Sequence, residues 1–323
     1  MTAKISLLGT GGTISTTPGE AGAVPGLHAA EMTAALPMGP WQIQARDVMK
    51  KSSRAIGPSD MWDLARAVGE EIAAGADGVV ITHGTDTLEE TAYALALLLE
   101  PTVPVVLTGA MRRPHDPGAD GPANLQSALV AAASRELAPY TPVVVVQDEI
   151  HVARWVTKQH SARIAAFASP ANGPVGAIVE GRVHLMLGPI PASDRLPAES
   201  ARPRHRVELL WTTAGADGLL VQALAGKIDG LVVAGTGGGH VPPLLAEALV
   251  SLAADGCPVV LASRCGDAPQ VLTNTYGGVG SEGHLLGAGL VSGGSLSALK
   301  CRLRLVFGLA AGLTANELFR GTS

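Results

Sequence analysis

Three short segments place hydroxyl, carboxyl and amine side chains where a protein can do chemistry. The first, Gly9-Thr10-Gly11-Gly12-Thr13-Ile14, follows the apolar run Ile5 to Leu8. Ligands of parallel sheets bind beyond the carboxyl ends of strands, where glycines admit close approach and leave backbone N–H groups exposed. Thr10 there offers a hydroxyl to a substrate, and a plain structural turn is the competing reading. Ile14 stands where a dinucleotide fingerprint needs its last glycine, and the chain has no Gly-Lys-Ser/Thr phosphate loop. The second segment runs from Val79 through His83-Gly84-Thr85-Asp86-Thr87 to Glu89-Glu90-Thr91. Thr85, Asp86 and Thr87 are each good helix caps, yet capping accounts for only one of them. An Asp beside two hydroxyls at a strand end can orient a proton carrier, and the N-terminus of the following helix can stabilise an oxyanion. The third segment, Arg154-Trp155-Val156-Thr157-Lys158, ends in a lysine that by itself reads as a solvated surface charge.

These segments follow elements that recur along the chain. Runs rich in Val and Ile at Ile5 to Leu8, Gly78 to Ile81, Val103 to Leu107 and Val143 to Val146 alternate with helical stretches, a pattern that predicts parallel strands joined by helices. Ser59 to Ala74, opening on a Ser or Asp cap, and Leu88 to Leu99, opening with Glu89 and Glu90, are two of those helices. Four prolines and mixed charges between Gly188 and Arg206 favour an extended connector. The predicted architecture is α/β: a larger N-terminal domain (1–187) with a doubly wound, mostly parallel sheet, a linker (188–206) and a smaller C-terminal α/β domain (207–323). In that second domain Gly218 to Leu224, Gly230 to Ala234 and Pro258 to Ala262 read as strands, and Pro243 to Ala254 as a helix.

Composition bounds the rest. A chain of 323 residues exceeds what one hydrophobic core usually organises. With 47% hydrophobic but only 3% aromatic residues, and 40 glycines, it suits helices packed closely on a sheet. Net charge is -5 with the basic residues scattered, so nucleic acid is not an expected partner. No apolar run reaches the length of a membrane span, and the N-terminus reads as a strand instead of a signal peptide, so a cytoplasmic protein is expected. Cys257, Cys265 and Cys301 lack metal or disulfide spacing, the histidines lack a zinc motif, and no cofactor or metal is expected.

Taken together, the segments resemble the bacterial L-asparaginase and glutaminase-asparaginase family. Thr10-Gly11-Gly12-Thr13-Ile14 and His83-Gly84-Thr85-Asp86-Thr87 are similar to its two signatures. Leu107-Thr108-Gly109-Ala110-Met111-Arg112, Ala119-Asp120-Gly121-Pro122 with Asn124-Leu125, and Val156-Thr157-Lys158 match further loops in the same order. The resemblance covers about residues 4 to 180 well and is looser in the C-terminal third. It implies hydrolysis of the side-chain amide of L-asparagine to L-aspartate and ammonia, with Thr10 attacking to form an acyl-enzyme. Thr85, Asp86 and Lys158 form the implied proton relay, which leaves open the charge state of Lys158 and which threonine acts in which step. Ser53, Arg54, Gly84 and Ala110 are the implied substrate-binding positions, with oxyanion donors near Thr85 and Ala110. A homo-oligomer, a dimer or a tetramer of dimers, is also implied.

The chain departs from the family at three places. Arg54 occupies a position that commonly helps hold the substrate's α-ammonium, so an inward guanidinium would favour an amide whose α-amine is modified or absent. The alternative is an outward Arg54 paired with an acidic neighbour. Ser15 to Leu27 lacks the family's loop tyrosine, and Gly238 stands where an Asn is usual, leaving His240 or Glu282 as candidate substitutes across an interface. Two other readings remain: a non-catalytic small-molecule binder on the same fold, and a Ser-x-x-Lys site at Ser297 and Lys300, which the amphipathic C-terminal helix explains as accidental.

Overall fold

The computed structural model describes residues 2–19, 22–34, 36, 39–189, 194–197 and 200–320. Contacts divide the chain between Arg195 and Leu196 into two units. In the first unit, β1 (Ala3–Gly11), β2 (Trp41–Lys51), β3 (Gly78–Thr82), β4 (Val105–Thr108) and β5 (Val143–Val146) run parallel in the order β2-β1-β3-β4-β5. The antiparallel strands β6 (Glu149–Val152), β7 (Gly176–Val179) and β8 (Arg182–Leu185) extend the sheet beyond β5.

Every residue of β3, β4 and β5 is buried, because helices cover both faces of the sheet. Val79, Ile81, Val105 and Leu107 pack against Leu64 and Val68 of α1 (Pro58–Ala73) and Ala92 and Leu95 of α2 (Leu88–Leu98). The alternate residues Val80, Val106, Val143 and Val145 face Leu125, Ala128 and Leu129 of α3 (Gly121–Ala133). This two-residue alternation is what makes a doubly wound sheet from continuous apolar runs. Two of the boundaries that differ from the sequence reading have a local cause. β4 starts at Val105, after Pro104, which has no N–H to donate. The first turn of α1 is closed by Asp60, whose carboxylate accepts from Gly57 N–H at 3.1 Å with Pro58 leading the helix.

The second unit is a four-stranded parallel sheet of β9 (Val207–Trp211), β10 (Gly230–Gly235), β11 (Val259–Ser263) and β12 (Val291–Ser292), in that order. Pro243–Ala254 is helical, as its spacing predicts. Leu219–Leu224, expected as part of a strand, is a helix instead. Only Val221 of its apolar residues is deeply buried, while Leu219 and Leu220 are exposed, and Asp217 accepts from Leu219 N–H at 3.0 Å to start the turn. A central strand would bury the whole run; one turn and a half of helix buries a single face. Among the described residues no helix is long and apolar enough to cross a membrane.

Candidate active site

Three loops at the carboxyl ends of β1, β3 and β4 meet with almost no side chain between them. Gly12 has φ +86, and a Cβ there would lie 2.3 Å from Gly84 N and Cα. A Cβ on Gly84 would lie 2.7 Å from Ser53 Oγ, and one on Gly109 only 2.5 Å from the His83 carbonyl oxygen. The glycines are therefore required by backbone approach as well as by conformation. Thr10 lies at an irregularity in the β1–β2 register between Gly9 and Gly11, fully buried, with its hydroxyl donating to the Thr82 carbonyl at 2.9 Å.

The segment after β3 does not cap its helix with side chains. Thr87 occupies the N-cap position, but its hydroxyl donates to the Ser53 carbonyl at 2.9 Å, tying the Ser53–Ala55 turn to the site. Asp86 and Thr85 both face Lys158: Nζ donates to Asp86 Oδ1 at 2.6 Å and to Thr85 Oγ1 at 2.9 Å. The Lys158 side chain is 13% exposed and that of Asp86 65%, so the ion pair has one largely enclosed and one solvated partner. Lys158 belongs to a short hairpin in which Thr157–Lys158 pairs with Phe167–Ala168. Its backbone N–H donates to Glu89 Oε1 at 3.0 Å, and Glu89 is buried.

His83 is enclosed at 0% exposure and holds the same loop. Its Nδ1 donates to the Gly84 carbonyl at 2.7 Å and its Nε2 accepts from the Thr91 hydroxyl at 2.9 Å, roles assigned from the partners. Burial pushes its pKa down to about 4, only partly opposed by the Gly84 carbonyl. His83 is thus a neutral bracket at neutral pH, not a proton carrier.

Ala110 is buried in a loop that Asp120 and Asn124 organise. Asp120 accepts from Met111 N–H at 2.9 Å and Arg112 N–H at 2.8 Å, while Asn124 Nδ2 donates to the Gly109 carbonyl at 2.9 Å. Among the described residues no protein acceptor pairs with the N–H groups of Thr85 or Ala110. The sequence reading missed the positioning parts played by Glu89, His83, Asp120 and Asn124. The i, i+4 spacing of Asp120 and Asn124 at the start of α3 is the signal that could have found one of these pairs.

The predicted set is brought together unevenly. Lys158, Thr85 and Asp86 form one hydrogen-bonded group, and Ser53 and Gly84 adjoin it. Thr10 joins through backbone packing of Gly12 on Gly84, with no hydrogen bond to Thr85, Asp86 or Lys158 among the described residues. Arg54 is exposed and has no ion-pair partner among the described residues; Lys51 takes Asp60 at 2.6 Å instead. Arg54 thus lies outward, without an acidic partner among the described residues. In the second unit Glu282 is fully buried, accepting from Thr275 and Tyr276 N–H at 2.6 and 2.8 Å and pairing with His240 at 3.1 Å. Both side chains hold that unit's own loop together. Lys300 is buried in the first turn of the helix Ala298–Ala310.

Comparison with known proteins matches both units. The family model described as asparaginase, N-terminal, covers residues 4–190, and the glutaminase/asparaginase C-terminal domain covers 206–320. A Deinococcus radiodurans protein named "Probable L-asparaginase" is 36% identical over 98% of this chain and 96% of its own length. The Bacillus licheniformis L-asparaginase is 31% identical over 96% of this chain and 97% of its own. The crystal structure of a probable cytoplasmic L-asparaginase from Campylobacter jejuni superposes with a TM-score of 0.88 at 30% identity, covering 99% of both chains. Matches that run nearly end to end, through the loops that hold Thr10, Thr85 and Lys158, make this chain a member of the asparaginase family.

Proposed function

We propose that the protein hydrolyses the side-chain amide of L-asparagine to L-aspartate and ammonia. The observation that carries this reading is the Lys158 ammonium shared between Thr85 Oγ1 and Asp86 Oδ1, beside the glycine contact that brings the Thr10 loop against the same turn. Thr10 Oγ attacks the amide carbon and gives up its proton as the new C–O bond forms. A threonine hydroxyl is a poor nucleophile at neutral pH, so Thr85, oriented by Lys158 and Asp86, passes that proton toward the leaving nitrogen. The N–H groups of Thr85 and Ala110 receive the charge on the carbonyl oxygen. The C–N bond breaks, ammonia departs, and water then cleaves the Thr10 ester to give aspartate and the free hydroxyl.

In the resting arrangement the Thr10 proton points at the Thr82 carbonyl. Attack therefore requires that hydroxyl to exchange one acceptor for another, a rotation within a site already shaped around it. Ammonia release from L-asparagine, with Thr10→Val and Lys158→Met as inactive controls, tests the reading. A purified, folded chain that releases no ammonia from any short amide supports the non-catalytic binder instead.

A second substrate reading rests on Arg54. Its exposed guanidinium, unpaired among the described residues, adds positive charge next to Ser53. Exposed to water, that charge biases the choice only weakly toward amides with a modified or absent α-amine over zwitterionic asparagine. Assembly as a homo-oligomer and a cytoplasmic location belong to the same proposal; light scattering after size exclusion and cell fractionation test them.

A further inference from the structure

The active-site lysine is gripped at both ends by one five-residue stretch. Thr85 and Asp86 take its Nζ at 2.9 and 2.6 Å, and Glu89, four residues after Thr85, takes its backbone N–H at 3.0 Å. Sequence separations of 73, 72 and 69 residues show that all three contacts are tertiary. Glu89 is 6% exposed. A carboxylate so enclosed is costly unless it has donors, and a first-turn position in α2 favours its charge.

The direction of the N–H explains why this bond matters. Phe167 pairs with Lys158 across the hairpin, and the next residue, Gln159, donates its N–H back to Ala166 at 2.7 Å. Successive N–H groups along an extended strand point opposite ways. Lys158 N–H therefore points away from its hairpin partner, and Glu89 is what it meets. Two fixed points then set the lysine: the main chain is pinned to the first turn of α2, and the ammonium to the turn that precedes the same helix. Both anchors belong to α2 and the turn that leads into it.

We propose that Glu89 is a positioning residue for the hydrolysis, acting through the Lys158 backbone to hold Nζ in register with Thr85. The inference rests on the reading of Lys158 as part of the reacting group. Its chemistry is acceptor geometry: what is required is an oxygen at the reach of a glutamate side chain. Glu89→Gln retains that oxygen, Glu89→Asp keeps the charge but falls one methylene short, and Glu89→Ala removes both.

The test compares kcat and KM for L-asparagine in these three variants with wild type and Lys158→Met, after matching their melting temperatures. Glu89→Ala and Glu89→Asp are expected to lower kcat roughly 10- to 100-fold with KM changed less than about threefold, the size of effect that a misplacement near 1 Å produces. Glu89→Gln is expected to recover kcat to within about fivefold of wild type, since its carbonyl oxygen accepts the same N–H. If Glu89→Ala does not fold, the Gln and Asp variants decide the matter alone. A Glu89→Asp enzyme as fast as wild type, or a Glu89→Gln enzyme as slow as Glu89→Asp, overturns the inference. Turnover that survives Lys158→Met sinks the reading of the site itself, whereas loss in Lys158→Met with none in the Glu89 variants sinks only the role of Glu89.

Discussion

Lys158 keeps its side chain largely inside the protein while its partner Asp86 stands mostly in solvent, the two joined at 2.6 Å. Water around Asp86 moderates the pair's strength, so its use lies in direction more than in stability. The carboxylate holds the ammonium where Thr85 Oγ1 also receives it. Lys158→Met is expected to lower kcat at least 100-fold, the range of proton-transfer assistance, with a much smaller change in melting temperature. Steady-state ammonia release alongside calorimetry checks both halves.

Thr10 is isosteric with valine but loses its hydroxyl in that change. Thr10→Val is expected to abolish turnover and to leave the Thr82 carbonyl without its 2.9 Å donor, at about 1 kcal/mol or more of stability. Hydroxylamine trapping of an acyl intermediate should succeed with wild type and fail with the variant. Trapping that persists would place the ester on another residue.

Gly12 and Gly75 have similar positive φ, +86 and +93, but different surroundings. A Cβ at Gly12 meets Gly84 backbone at 2.3 Å, whereas one at Gly75 meets nothing within 4 Å. Gly75→Ala carries only the conformational penalty of about 1 kcal/mol, while Gly12→Ala must also push the Thr10 loop away from the Gly84 turn. The expected order in denaturant midpoint is wild type, then Gly75→Ala, then Gly12→Ala, with activity lost only in the last. Equal midpoints for the two variants would contradict the close-packed loops.

His83 ties stability to pH. Its folded pKa is pushed from 6.5 to about 4, so between those values the unfolded chain binds a proton that the folded chain refuses. Stability therefore falls as pH drops from about 6.5 toward 4, by up to about 3 kcal/mol from this residue. Burial pushes His151 in the same direction. Denaturant unfolding at pH 7 and 4.5 should show a flatter dependence for His83→Gln than for wild type; an unchanged slope would contradict the buried neutral ring.

Arg54 is exposed, so its influence on substrate charge is felt through water. Arg54→Gln is expected to shift the preference between L-asparagine and its N-acetyl or des-amino analogues by no more than about fivefold, decreasing with salt. A shift of 100-fold or more would mean that the guanidinium enters a closed pocket with the substrate.

Much of the frame could be read from local pattern. Val143 to Val146 appeared as a strand because four β-branched residues in succession, bounded by Pro142 and Gln147, have little else to form. Helix Pro243–Ala254 was equally legible from its spacing. Leu219–Leu224 was misread because a short apolar run looks alike as a strand or as one buried helical face, and only the packing of Val221 separates them. Turns and helix caps could each account for Thr10, Gly12, Thr85 and Asp86 one at a time, and only the resemblance of several loops in one order marked them as a group.

The amino-acid order by itself determined most of the strands and helices and that hydroxyl-bearing turns follow two of the strands, because those features depend on neighbours in the chain. Only the tertiary structure decided that β1 lies between β2 and β3, that Lys158 reaches Asp86 across 72 residues, and that Glu89 meets the lysine backbone instead of water. A side chain's partner is set by packing between distant elements, and no local spacing records where Lys158 Nζ or Arg54 will point.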